Sequence, residues 1–220
     1  MTGLGVQKIE SGLWRWSAPH PEWDPDPTST TGWIEDVGSV YCELPSAVLL
    51  IDPVVPADAA DAARLWSALD RDVERLRRPV CVLVTVHWHR RGSDAVVARY
   101  GAQDGVVPDG ARAIPLGDPI GETAYALPRF RTLVLGDVVI GGDAIAGDER
   151  EGLRVCPPGW YGSTAAERAW YGGPGLPGAL RRLSHEPADR ILTTHGSPLL
   201  SGGADALRGL AESVSAGRAA

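Results

Sequence analysis

Near the middle of the chain stands the sequence Val80-Cys-Val-Leu-Val-Thr-Val-His-Trp-His-Arg-Arg-Gly-Ser-Asp94. Residues 80–86 are almost all apolar and mostly β-branched, which is typical of a strand that is buried on both faces. Pro79 precedes this run, and proline is tolerated at the first position of a strand. His87 and His89 follow where the run stops, so they are expected at the end of the predicted strand.

The spacing of these two histidines predicts a metal site. In an extended chain, residues i and i+2 point the same way, and α/β proteins bind ligands at the carboxyl ends of their strands. Two neutral imidazoles placed in this way could ligate one metal ion. The alternative is that both histidines face solvent or the core on either side of Trp88, so the rest of the chain has to provide the context.

The composition is that of a soluble globular protein. The 220 residues suit one domain, residues 1–220, and the formal net charge of -7 without any basic block argues against a nucleic-acid partner. No apolar run approaches the ~20 residues of a membrane span, and the first residues lack a secretory signal pattern. The three cysteines are sparse, which fits a reducing cytoplasm. The expected partner is a small molecule of unknown identity, and nothing indicates an oligomeric state.

The order of predicted elements is mixed α/β. An alanine-rich, amphipathic helix is predicted over 57–78. Predicted hairpins join 37–44 to 47–52 and 123–127 to 132–135. Further helices are predicted over 93–100, 165–171, 178–184 and 204–213, and a short strand over 191–195 ends in His195. Such an order indicates a fold with both antiparallel and parallel strand pairs.

Five segments in this order resemble the metallo-β-lactamase superfamily. They are the strand pair leading to Ile51-Asp52-Pro53, then His87-Trp-His-Arg-Arg-Gly92, Gly121-Glu-Thr123, Leu133-Val-Leu-Gly-Asp137 and Leu192-Thr-Thr-His-Gly196. The resemblance covers about residues 5–212 and implies a four-layer αββα sandwich with metals at one edge. In full members of the superfamily, two metal ions, usually zinc, activate a water that attacks an ester, amide, thioester or phosphodiester.

The resemblance also assigns roles to individual residues. His87 and His89 match two ligands of the first metal site, and Glu122 stands where its third histidine is expected. Asp137 matches the aspartate that can bridge the metals, and His195 matches a ligand of the second site.

Two departures argue against a dinuclear centre. Arg91 stands where the second site has an aspartate, and Gly92 stands where it has a histidine. A guanidinium cannot ligate a metal ion and would repel one.

Three interpretations follow from these matches. In the first, the chain is a hydrolase with one zinc or iron ion on His87, His89 and Glu122, in which Asp137 acts as a base and His195 polarises the substrate. In the second, the site is metal-free, Arg91 pairs with Asp137 or Glu122, and the pocket binds an anion or another small molecule. In the third, the fold is kept for interaction and tryptophans fill the pocket.

Tryptophans are the other candidates for this site. Trp16, Trp23 and Trp33 match the region that supplies substrate-flanking loops in the superfamily, and together with Trp88 and Arg91 they are candidates to line a pocket. The alternative is that the N-terminal tryptophans pack the sandwich. Asp143 is a second candidate for the carboxylate assigned to Asp137, which is preferred because of the length of the preceding hairpin.

Overall fold

The computed structural model describes residues 3–23, 32–161 and 163–217. Its strands, numbered in chain order, are β1 Gly5–Glu10, β2 Leu13–Pro19, β3 Asp36–Glu43, β4 Val48–Ile51, β5 Val80–Leu83, β6 Gln103–Asp104, β7 Arg112–Pro115, β8 Thr123–Leu127, β9 Thr132–Leu135, β10 Val139–Gly141, β11 Leu153–Val155 and β12 Arg190–Thr193. Its α-helices are α1 Ala59–Leu76, α2 Ser93–Tyr100, α3 Ala165–Tyr171, α4 Gly175–Ser184 and α5 Gly203–Ser215. Short 3-10 helices span His87–Arg90 and Pro128–Phe130.

The strands form two main sheets. One has the order β1-β2-β3-β4-β5-β6, and the other has the order β12-β9-β8-β7, while β10 and β11 form a separate pair. The β3–β4 and β8–β9 pairs are antiparallel, as the predicted hairpins require. The pairs β4–β5 and β9–β12 are parallel. Each sheet therefore combines antiparallel and parallel pairs, as the order of elements predicted.

Three layers of buried side chains hold four layers of structure together. Leu49 and Leu83 of the first sheet pack against Val134 and Leu192 of the second, which makes the central core. The other face of the first sheet packs on α1 and α2, and the other face of the second sheet packs on α4 and α5. This arrangement is the αββα sandwich that the resemblance implied.

Helix α1 shows how the local sequence produces one of these layers. Its N-cap, Asp58, accepts hydrogen bonds from the backbone N–H groups of Ala60 and Asp61, so a carboxylate satisfies two of the donors that the first turn leaves free. Leu65 and Leu69 lie four residues apart, and both are buried against the first sheet. No helix in the described residues is long and apolar enough to cross a membrane.

The strand predicted over 80–86 is shorter than its apolar pattern suggests. Strand β5 ends at Leu83, opposite Ile51 of β4. Beyond that pair, Asp52 adopts a positive φ of 49°, and its carboxylate accepts a hydrogen bond from the backbone N–H of Thr85 at 2.7 Å. The chain then leaves the sheet, and a 3-10 turn begins at His87. The expectation that His87 and His89 lie on an extended strand was therefore wrong.

Four strand ends meet at one edge of the sandwich. The chain leaves β4 at Asp52, β5 at Thr85, β9 at Asp137 and β12 at His195. The two sheets are tied together here, because the backbone N–H of Gly38 donates to the carbonyl oxygen of Thr194 at 2.7 Å. All four polar side chains are buried at this edge, which makes it the candidate position of a functional site.

Candidate metal centre

Three buried side chains converge where the strands end. His89, Asp137 and His195 each direct one potential ligand atom to a common point, and the three atoms lie within 4.8 Å of one another. Oδ1 of Asp137 lies 3.0 Å from Nε2 of His89 and 3.3 Å from Nε2 of His195. Two imidazole nitrogens and one carboxylate oxygen are therefore gathered around one small volume.

Asp52 fixes the orientation of His89 from behind. Its Oδ2 lies 3.1 Å from Nδ1 of the imidazole. The same carboxylate accepts hydrogen bonds from the hydroxyls of Thr85 at 2.6 Å and Thr194 at 3.0 Å. This acceptor favours a proton on Nδ1, and Nε2 faces the converging group. A carboxylate behind a histidine in this way is the usual support of a metal-ligating imidazole.

Hydrogen bonds with Trp88 and Glu122 hold Asp137 in place. The indole N–H of Trp88 donates to Oδ2 at 2.7 Å, which occupies one carboxylate oxygen and leaves Oδ1 facing the two imidazoles. The backbone N–H of Asp137 donates to Glu122 at 3.0 Å, which fixes the turn that follows β9. The Asp137 side chain is thus positioned before any ligand arrives.

Two of the three converging atoms form no hydrogen bond within the described part of the chain. Among the described residues, Nε2 of His89 and Oδ1 of Asp137 are buried and form no hydrogen bond, although they lie 3.0 Å apart as an ion pair. Buried polar atoms nearly always have a hydrogen-bond partner, so two neighbouring atoms that lack one indicate a position where a metal ion could be coordinated. These residues therefore fit a bound metal ion, and the set of two histidines and one carboxylate suits zinc or iron(II).

The charges at this site are strongly coupled. Burial opposes protonation of His89, but the charges of Asp137 and Asp52 outweigh it and raise the pKa of His89 to about 9. Burial likewise opposes ionisation of Asp137, yet the neighbouring imidazoles, His89 first, hold the pKa of Asp137 well below its usual range. Burial lowers the pKa of His195, so this ring is neutral. Without a metal, the site is a compact group of one imidazolium between two carboxylates.

Glu122 has a structural task in place of the predicted ligand role. Its two oxygens accept hydrogen bonds from the backbone N–H groups of Gly136, Asp137 and Val138 at 3.2, 3.0 and 2.9 Å, and the Tyr161 hydroxyl also donates to it. Both oxygens are occupied, and Glu122 is not among the converging atoms. Burial and the charge of Asp137 raise its pKa to about 7. The prediction that Glu122 is a metal ligand is therefore wrong, and Glu122 instead holds the turn that presents Asp137.

His87 is the second correction to the predicted ligand set. Its side chain is exposed, its ring lies edge-on to Trp88 with centroids 4.6 Å apart, and it is not part of the converging group. The physical reason is the 3-10 turn, in which residues two apart do not share a face as they would on a strand.

Arg91 lies in the same pocket, but it is not paired as the metal-free interpretation predicted. No ion pair joins its guanidinium to Asp137 or Glu122 in the described part of the chain, and its Nε and Nη1 atoms are buried without a hydrogen-bond partner. Burial lowers the pKa of Arg91, against the attraction of Asp52 and Asp137. Both carboxylates attract the guanidinium electrostatically, but neither forms a hydrogen bond or an ion pair with it.

The pocket around these groups has a volume of about 260 Å³. Its lining residues are His20, Trp33, Trp88, His89, Arg91, Asp137, Trp160 and His195. The rings of Trp33 and Trp160 contact His195 edge-on at centroid distances of 4.9 and 5.0 Å. The pocket is open between its aromatic walls, so tryptophans do not fill it as the third interpretation expected.

The remaining predicted pocket residues have different outcomes. Trp16 is buried against α1, where its indole N–H donates to the carbonyl oxygen of Val54 at 2.9 Å, so its assignment to this pocket was wrong. Trp23 does not line the pocket, but its indole N–H donates to the carbonyl oxygen of Trp33, which does, at 3.1 Å. Asp143 accepts hydrogen bonds from the backbone and hydroxyl of Ser197 at 2.7 and 2.6 Å, which leaves Asp137 as the site carboxylate.

Sequence reasoning did not assign two of the lining residues to the pocket. His20 lies far from the other site residues in sequence, and only the fold brings its ring to 5.0 Å from that of Trp33. Trp160 follows Cys156-Pro-Pro-Gly, and this rigid segment was the available signal that the side chain is held in a fixed place.

Comparisons with known proteins agree with this architecture. No family model matches the chain, and no curated protein matches it. Among solved structures, VMB-1 superposes with a TM-score of 0.59 at 12% identity and 100% coverage of both chains. The metallo-β-lactamase from Erythrobacter litoralis with β-mercaptoethanol in its active site gives 0.58 at 14% identity, covering 96% of this chain and 97% of that chain.

A third similar structure has a different named role. The metal-soaked Flv1 flavodiiron core from Synechocystis sp. PCC6803 gives a TM-score of 0.57 at 14% identity, covering 97% of this chain and 61% of that one. Similarity at such low identity concerns the fold. The chain has the metallo-β-lactamase fold, with a possible metal site at His89, Asp137 and His195.

Proposed function

We propose that this protein is a hydrolase that uses a single metal ion held by His89, Asp137 and His195. The observation that carries the proposal is the convergence of Nε2 of His89, Oδ1 of Asp137 and Nε2 of His195 within 4.8 Å. Two of these atoms are buried and have no hydrogen-bond partner in the described ranges. Three protein ligands leave a coordination position free, which is the arrangement of catalytic rather than structural zinc sites.

The residues around the three ligands support a preorganised centre. Asp52 holds the imidazole of His89 through Nδ1, and Trp88 holds Asp137 through Oδ2. Trp33 and Trp160 contact the ring of His195 on its edges, which restricts its rotation. Ligands whose orientation is fixed by such contacts lose less entropy when they bind an ion.

A bound divalent ion would supply a water of lowered pKa and would polarise a carbonyl or phosphoryl oxygen. The protein's own contribution is to exclude bulk water with aromatic walls and to hold the reacting group beside the ligands. Esters, thioesters and phosphodiesters are the first substrates to test. A β-lactam amide belongs with them, because similar structures are named metallo-β-lactamases.

A metal-free binding pocket is the second candidate function. The guanidinium of Arg91 favours it, because its Nε and Nη1 have no hydrogen-bond partner in the described ranges and a cation beside an ion-binding site opposes a second cation. In that case His89, with its pKa raised to about 9, takes the place of the ion between Asp52 and Asp137. The two functions differ in whether the purified protein contains metal.

The decisive test is metal content measured by elemental mass spectrometry on protein purified without a chelator or a nickel column. The matched variants are His89→Ala, which removes a converging ligand, and His87→Ala, which removes an exposed histidine two residues away. The proposal expects about one zinc or iron per chain in the wild type and in His87→Ala, and a loss of metal in His89→Ala.

Two other outcomes would contradict the proposal. Metal near zero in all three proteins, with a melting temperature that added zinc leaves unchanged, would favour the metal-free pocket. Loss of metal in His87→Ala but not in His89→Ala would show that the exposed histidine is the ligand and that the converging group is not.

A further inference from the structure

Two nitrogens of the Arg91 guanidinium have no hydrogen-bond partner among the described residues. Its Nε and Nη1 atoms are buried, and among the described residues no atom hydrogen-bonds to either of them. An arginine has five N–H donors and cannot release its charge by deprotonation. Burying such donors unpaired is costly, so proteins rarely tolerate it without a reason.

The backbone is built to place this side chain. Arg91 has a φ of 29°, an unfavourable conformation for a residue with a side chain. The next residue, Gly92, donates its N–H to the carbonyl oxygen of Pro53 at 2.9 Å, and a Cβ at Gly92 would approach that oxygen to 2.9 Å and Cγ2 of Val55 to 2.8 Å. Only glycine fits there, so a tight turn directs Arg91 into the pocket. Backbone strain of this kind is usually retained at functional sites.

We infer that Arg91 is the anion receptor of this pocket and binds the carboxylate or phosphate group of a small substrate whose apolar part lies against Trp33, Trp88 and Trp160. The inference rests on the pocket of the proposed function and names the substrate class for it. Guanidinium groups match the geometry of both oxyanions.

The neighbouring acids leave the guanidinium available. Asp52 bonds to Thr85, Thr194 and His89, Asp137 bonds to Trp88 and pairs with His89 and His195, and neither carboxylate forms an ion pair with Arg91. When a divalent ion is bound, its charge is balanced by these two carboxylates. The charge of Arg91 is then left over, and an anionic substrate would balance it.

The shape of the pocket limits the substrate. Its volume of about 260 Å³ lies just below the range of about 300–1,000 Å³ that is usual for drug-sized ligands. Three indole rings line it beside Arg91, and flat aromatic walls favour an apolar or aromatic body. A small aromatic acid or aryl phosphate combines the two features.

The test uses benzoate and phenyl phosphate as probes, with benzamide as the neutral counterpart of benzoate, and isothermal titration calorimetry as the measurement. The variant is Arg91→Gln, and the matched control is Arg90→Gln, because the neighbouring Arg90 is exposed and pairs with Asp94 and Asp104. Each protein is titrated both as purified and after the addition of equimolar zinc. Arg91→Lys keeps the charge but not the fork of donors, and circular dichroism checks that every variant is folded.

The inference expects the wild type to bind benzoate or phenyl phosphate but not benzamide. Arg91→Gln should weaken binding by at least about tenfold, Arg91→Lys by less, and Arg90→Gln not at all. Tighter binding of phenyl phosphate than of benzoate would identify phosphate as the preferred group, and the reverse would identify carboxylate.

The inference is overturned if neither anion binds the wild type in either metal state, if benzamide binds as well as benzoate, or if Arg91→Gln binds as the wild type does. Its failure is separate from that of the proposed function. A protein that takes up zinc but no anion retains the metal centre and loses the anion receptor, whereas one that binds the anion without any metal does the opposite.

Discussion

Asp52 and Asp137 are both buried at the ends of strands, with exposed fractions of only 1% and 6%, but their surroundings differ. Asp52 accepts hydrogen bonds from the backbone and hydroxyl of Thr85 and from the hydroxyl of Thr194, and Nδ1 of His89 faces it. Asp137 accepts one hydrogen bond from Trp88, while its Oδ1 faces the pocket without one. Both carboxylate oxygens of Asp52 therefore accept hydrogen bonds, whereas only one oxygen of Asp137 does.

The difference separates structural support from ligand binding. A buried carboxylate with both oxygens hydrogen-bonded stabilises the fold and can take no further ligand, whereas one with an oxygen left over stabilises the fold less and keeps that oxygen available to an ion. His89 lies between the two residues, with Nδ1 toward Asp52 and Nε2 toward Asp137. Each of its nitrogens thus belongs to a different part of the site.

The largest expected effect comes from exchanging each aspartate for its neutral isostere. Asp52→Asn should reduce the free energy of unfolding of the metal-free protein by about 3–5 kcal/mol, because three donors and His89 lose a buried charged partner. Asp137→Asn should cost less, about 1–3 kcal/mol, since His89 keeps Asp52. Urea unfolding followed by circular dichroism measures both, and equal losses would mean that Asp137 is as structural as Asp52.

The next effect is the pH dependence of metal binding, which concerns the two sides of His89. The carboxylates raise the pKa of the metal-free imidazole to about 9, so this proton stabilises the metal-free fold below the unfolded value of about 6.5, and its contribution is lost as the pH rises through 9. An ion must displace the same proton. Zinc affinity should therefore increase by up to about tenfold per pH unit between 6.5 and 9.

Competition with a chelator of known affinity measures this dependence, and calorimetry in buffers of different ionisation enthalpy counts the protons released. About one proton per ion is expected, because burial lowers the pKa of His195 and that ring is already neutral. An affinity that stays flat across this range would show that the ion does not compete for His89.

The sequence predicted the fold well, because its patterns are local. The hairpin of Thr123–Leu127 and Thr132–Leu135 has the predicted bounds, and α1 lies within the predicted helix. The pattern could not indicate where strand β5 ends. The apolar run continues to Val86, but the strand ends at Leu83, and the backbone N–H of Thr85 donates instead to the carboxylate of Asp52, which is distant in sequence.

The site was predicted in part for the same reason. His89, Asp137 and His195 were identified as candidates, but their grouping into one set depends on the turn at His87 and on the pairing of β9 with β12. Glu122 looked like a ligand because of its position in the sequence. Its actual partners are backbone donors at residues 136–138, and no side-chain pattern reveals such donors.

The smallest effect tests the cation that separates this pocket from a full metal centre. Arg91→Asp should raise zinc affinity by about tenfold, because the change removes a like charge and adds a carboxylate beside the ligands. Arg90→Asp is the control, since the neighbouring side chain is exposed and lies outside the pocket. A gain in Arg91→Asp alone would show that Arg91 opposes the ion from within the site. Unchanged affinity would mean that the guanidinium lies too far from the ion to matter, and equal gains in both variants would reflect only the overall charge of the protein.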